Sequence, residues 1–157
     1  MPDINVHLAI NRIQARNRTI TGVKTAPDLE GYLAAVQVGQ LPYVITWPGD
    51  GQWGIKGHGW KTDHRTMLVI VFVEPLGQGS IPTRAVQAID LFDRVRDYYL
   101  TAANISLAEP NTDGYQITVE SSPNVSHSDN GLQSDLAIGG QTYHSFILRL
   151  KTRILWT

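Results

Sequence analysis

Residues 62–74, TDHRTMLVIVFVE, constrain the fold more than any other part of the 157-residue chain. In an extended strand Met67, Val69, Val71 and Val73 point to one side, and Leu68, Ile70 and Phe72 to the other. A strand that is apolar on both faces has to be covered on both, so it belongs in the middle of a sheet. Pro75, which has no N–H to give a ladder, ends it. Upstream, residues 41–47 (LPYVITW) are β-branched and aromatic and predict a second strand, stopped at Pro48-Gly49. Between the two lies PGDGQWGIKGHGW, residues 48–60, with five glycines and two tryptophans. The expected arrangement is an antiparallel pair joined by a long Gly/Trp-rich hairpin loop.

The remaining pattern supplies helices and further strands. Val6, Ile10 and Ile13, with Ala9 beside them, share one side of a helix over residues 4–17; Arg12, Arg16 and Arg18 suit the negative end of its dipole. Pro27, Gly31 and Gly39 make residues 23–40 a long connection with one short helical turn within 29–36. Ser80-Ile81-Pro82 reads as an N-cap followed by a first-turn proline. From there Ile81, Ala85, Ala88, Ile89, Phe92, Val95 and Tyr99 recur at helical spacing to Ala102. Residues 115–120 and 132–138 predict strands, separated by the polar, turn-rich SSPNVSHSDNG. In the closing strand, residues 143–156, the side chains Phe146, Leu148, Leu150, Ile154 and Trp156 form a core face, and Arg149, Lys151 and Arg153 follow one another on the other. The fold class expected is α+β: a single domain over residues 1–157, mainly an antiparallel sheet with an N-terminal helix and a second long helix packed on it.

Composition narrows the function. Hydrophobic residues make up 42% and charged residues 17%, the apolar content of a globular protein with a thinly charged surface. Copies of such a surface repel one another weakly, which suits association. A net charge of -1 and a pI near 6.5 give no field that would gather free nucleic acid or anionic lipid. Without cysteine there is no disulfide, thiolate nucleophile or Cys-ligated metal. The opening MPDINVHLAINRIQARNRT lacks the apolar core of a secretory signal, and the longest apolar run, residues 67–73, has strand length, so no membrane partner is expected. The sequons at Asn17, Asn104 and Asn124 are then expected to be chance.

Candidate chemistry is sparse. His58, Asp63 and His64 are the clustered acid/base or metal-type residues, yet Asp63 and His64 are neighbours in a strand and point to opposite faces, which argues against one shared ion. No serine stands in a nucleophile elbow, and the glycines at 49, 51, 57 and 59 are followed by a strand, where a phosphate loop needs a helix. No catalytic residue, metal or cofactor is expected. The rival reading is a small enzyme or ligand-binding domain with His58 and His64 in a pocket. Arg149, Lys151 and Arg153 form either a solvated face that discourages edge pairing or a positive surface toward DNA or an acidic neighbour. Trp47, Trp53, Ile55, His58 and Trp60 either fold back on their hairpin or anchor it on another subunit, since aromatic anchors concentrate binding energy.

In order, the chain offers a helix ending IQARNRTITGVKTAPD, then LPYVITWPGDGQWG, GWKTDHRTMLVIVFVEP, AIDLFDRVRDYYL and YHSFILRLKTRI. Over most of its length this resembles the neck and tail-completion proteins of tailed bacteriophages, in particular the tail terminator group. The resemblance implies a virion subunit, made in the host cytoplasm, that forms a hexameric ring at the head-proximal end of the tail. Its implied partners are further copies of itself, the tail tube protein and the head-tail connector, with genomic DNA passing through the lumen without sequence-specific binding. It implies no active site. In that setting Trp47, Trp53, Ile55, His58 and Trp60 become subunit contacts, and Arg149, Lys151 and Arg153 a lumen or partner surface. Residues 121–131 are longer and more polar than a terminator requires, which keeps another neck or minor tail protein as the alternative.

Overall fold

The computed structural model describes residues 5–75, 81–101, 105–106, 115–120 and 126–156. Along the chain come α1 (Asn5–Asn17), β1 (Tyr43–Gly57), β2 (Trp60–Pro75), α2 (Ile81–Thr101), β3 (Ile105–Ser106), β4 (Tyr115–Val119), β5 (Ser128–Ile138) and β6 (Gln141–Trp156). All strand pairings between them are antiparallel, in the order β1-β2-β6-β4-β3, with β5 also on β6. The doubly apolar strand is therefore interior, between β1 and β6, and the α+β class is as the periodicity predicts. Among the described residues no helix is long and apolar enough to cross a membrane.

Burial explains why β2 reads as it does. On one face Met67, Val69, Val71 and Val73 join Val44, Phe146, Leu148, Leu150 and Ile154 beneath Ala9, Ile10 and Ile13 of α1 and Ala88, Leu91, Val95 and Tyr99 of α2. On the other face Phe72 packs edge to face on Tyr143 at 5.6 Å, with Tyr43 beside them and Ile45, Ile70, Leu136 and Ile138 around them. Both sides of the strand lose water, so neither can be polar. Ile89, expected in the helix stripe, lies half exposed; Leu91 takes the buried place.

A buried polar cluster ties the layers together. Gln14 donates to the carbonyls of Pro27 at 2.7 Å and Val44 at 2.9 Å. The Thr46 hydroxyl donates to the Gln14 amide oxygen at 2.8 Å, and the Tyr99 hydroxyl donates to the amide oxygen of Asn17. Asn17, the first sequon residue, is thus enclosed. Burial drives the Tyr99 pKa far upward, which keeps the phenol a donor.

Several boundaries differ from expectation. Residues 48–57, expected as loop, continue β1, and the connection shrinks to His58-Gly59 between the paired Gly57 and Trp60. Both turn residues have positive φ, 50° and 83°, the geometry that suits a two-residue hairpin turn. β5 starts at Ser128, inside the stretch expected to be a loop, and the short β3 was not foreseen. The connection before β1 holds two single 3-10 turns, Leu29–Gly31 and Val38–Gln40. Ile4, the Ser80 cap, Ala102, Asn104, Asn124 and the loop at 121–125 lie outside the described residues.

Candidate interaction surface

Strand alternation, read straight along β1, places Trp47, Trp53 and Ile55 on one face. The register says otherwise. Pro48 pairs with Met67 and Gly51 with Arg65, so β1 advances three residues while β2 retreats two. The extra residue is a bulge, and it reverses the phase of everything beyond it. Trp47 stays opposite Leu68, on the face away from the helices, whereas Trp53 opposite Asp63 and Ile55 opposite Lys61 fall on the helix-bearing face.

Glycine and arginine make the bulge. A Cβ on Gly49 would lie 2.8 Å from the Thr66 carbonyl oxygen, which leaves no room for a side chain. The Arg65 guanidinium donates to the Gly49 carbonyl at 2.9 Å and to Asp63 Oδ2 at 3.1 Å. Asp63 is buried, and among the described residues its Oδ1 has no hydrogen-bond partner.

The result is a shelf on the helix-bearing face. Trp53 is 77% and Ile55 81% exposed, the most exposed large apolar side chains among the described residues. With Lys61, Asp63, Arg65 and Trp156 they line an open cavity of about 480 Å³. Apolar walls over a partly buried ion pair provide area for another protein surface. Trp156, expected in the core, is part of this rim and only partly buried. Of the five hairpin residues singled out in the sequence, the structure brings together Trp53 and Ile55. Trp47 is half exposed on the opposite face, Trp60 follows the β2 alternation to that same face and is partly buried, and His58 sits exposed at the turn.

Arg149, Lys151 and Arg153 lie on the face of β6 away from the helices, alternating with buried Leu150 and Thr152. Lys151 Nζ reaches Thr66 Oγ1 at 3.0 Å, Arg149 reaches the Asn130 side chain, and Arg153 stands opposite His64. Acid is interleaved with them: Glu120 is 3.5 Å from His64 Nδ1, and Asp50, Gln52, His64, Thr66, Glu120 and Lys151 border a groove of about 380 Å³. The Lys151 backbone N–H donates to Nδ1 of His127 at 3.1 Å. Burial first, and then the Lys151 charge, hold the His127 pKa below its ordinary value.

His58, Asp63 and His64 are not brought together: the first is at the turn, the second faces the helix side and the third the opposite side. Among the described residues no three His, Asp or Glu side chains are grouped so as to hold a metal ion. No protein-family model matches the chain, and no curated protein matches it significantly.

Proposed function

We propose that the chain is a virion structural subunit of a tailed phage, forming a ring at the head-proximal end of the tail as a tail terminator or tail-completion protein. The observation that carries the reading is the shelf of Trp53 and Ile55, two large apolar side chains held out on a paired hairpin next to the core sheet. Side chains exposed to that extent on a paired hairpin suit a lasting protein contact. The element order that resembles the tail terminator group supports the same assignment. Ring closure uses two different surfaces of each copy, the shelf being one of them. The cationic face of β6 then serves as the lumen or connector side. Each copy brings Lys151 beside Asp50 and Glu120, with Arg149 and Arg153 on the same strand face, a partly neutralised lining that lets a polyanion pass without holding it.

The reading with His58 and His64 as a catalytic or binding pair gains no support from the site, because the two imidazoles occupy different parts of the hairpin. Mass spectrometry and antibody labelling of purified virions test the proposal. The expected result is label at the junction of head and tail, together with rings in negative-stain images of the purified protein. Absence from virions overturns it.

A further inference from the structure

β1 is the outermost strand on its side of the sheet, so one edge of its backbone faces away from β2. Near the core that edge is occupied. Val44 N–H donates to the Thr25 carbonyl at 2.8 Å. The Tyr32 hydroxyl accepts from Thr46 N–H at 2.7 Å and donates to the Thr46 carbonyl at 2.8 Å. Desolvation pushes the Tyr32 pKa up to about 12, so this cap stays protonated through the neutral range. Pro48 and the Gly49 bulge come next, and both interrupt pairing. From Gly51 to Gly57 no described strand lies along the outer edge. Proteins ordinarily blunt such an edge with charge or cover. Here it carries Trp53 and Ile55.

The charges on the strand specify what fits it. Asp50 and Lys56 are the only charged residues of β1, and they stand three positions to either side of Trp53. A second β1 laid antiparallel, with Trp53 opposite Trp53, puts Asp50 of each copy opposite Lys56 of the other. One register therefore satisfies both charges twice, and a slip along the strand satisfies neither. In the same register Gly51 of each copy lies opposite Ile55 of the other, on the face that carries Trp53, where the Arg65 guanidinium occupies the place of a side chain.

We propose that the outer half of β1 pairs edge to edge, antiparallel and in this register, with β1 of a second copy, giving a two-fold dimer of the free protein. A two-fold contact closes on itself and does not propagate. It covers Trp53 and Ile55, so a ring that uses the same shelf has to open the pair first. The inference stands without the phage reading.

Sedimentation of the purified full chain over a range of concentrations tests it. The wild type is expected to pass from monomer to dimer. Asp50→Lys and Lys56→Asp each set like charges opposite one another twice, and each should weaken the dimer roughly tenfold. The double variant, and an equal mixture of the two single variants, should recover it. The chain has no cysteine, and the register sets Gln52 of one copy opposite Gly54 of the other, so an equal mixture of Gln52→Cys and Gly54→Cys, both of which keep Trp53, should give a disulfide-linked dimer on mild oxidation. A wild type that stays monomeric, single charge variants as tightly paired as wild type, or no cross-link between positions 52 and 54 overturns the proposal. These outcomes are independent of virion labelling, so either reading can fail alone.

Discussion

The two halves of the β1–β2 hairpin are built from one continuous ladder yet behave as different materials. Toward the core, Val44 and Thr46 pair with Val71 and Val69, helices cover one face, an aromatic cluster covers the other, and Thr25 and Tyr32 occupy the edge. Past the Gly49 bulge the same two strands carry Trp53 and Ile55 into solvent over buried Asp63 and its partly buried partner Arg65, with the edge bare among the described residues. A single inserted residue separates a half that stabilises the fold from a half available for contacts. The β1–β2 ladder runs through both; what differs is how much side chain each half buries and whether its outer edge is occupied.

Substitutions on the two sides of the bulge should differ accordingly. Phe146→Ala, beneath the helices and edge to face with Phe92 at 5.1 Å, should cost about 3–5 kcal/mol in urea denaturation. A cost near zero would mean that the core half is not what holds the sheet. Gly49→Ala pushes a methyl group against the Thr66 carbonyl and should cost about 1–3 kcal/mol, or shift the register so that Trp53 changes face. Tryptophan fluorescence and amide exchange of β1 would report which happens. His127→Asn probes the far side of β6. At pH 7.5 the imidazole is mostly neutral in both folded and unfolded chains. Below it the unfolded chain takes up the proton first, because the folded pKa is lowered by burial and by Lys151, with Glu120 opposing. Wild-type stability should therefore fall from pH 7.5 to pH 5 more than that of the variant, read as the difference in melting temperature. Trp53→Ala should change monomer stability by no more than about 0.5 kcal/mol while weakening self-association. Equal losses in both would erase the contrast between the halves.

Much of the core half was legible because it obeys a period. The alternation of Met67, Val69, Val71 and Val73 against Leu68, Ile70 and Phe72 placed β2 in the interior, and the period of β6 separated the buried side chains from Arg149, Lys151 and Arg153. The contact half was not legible, because a bulge has no period. Glycines at 49, 51, 54 and 57 look like loop composition. Yet Gly49 and Gly51 are small because Thr66, His64 and Arg65 approach where their Cβ would be. Alternation alone would have kept Trp47 with Trp53. The helix stripe failed at Ile89, which stands half exposed while Leu91 is buried. A two-residue turn was readable only in the His58-Gly59 pair itself, where positive φ is tolerated.

The Gln14, Asn17, Thr46 and Tyr99 cluster has a consequence for how the molecule comes apart. Its bonds are directional, so α1 cannot slide by one turn along the sheet, or lift from it, without stranding several buried polar groups together. Helix, edge strand and α2 thus form one cooperative opening unit. The amides of α1 should exchange with solvent deuterium at the rate of global unfolding, while those from Gly51 to Gly57 exchange through a local, faster fraying that leaves the rest of the domain closed.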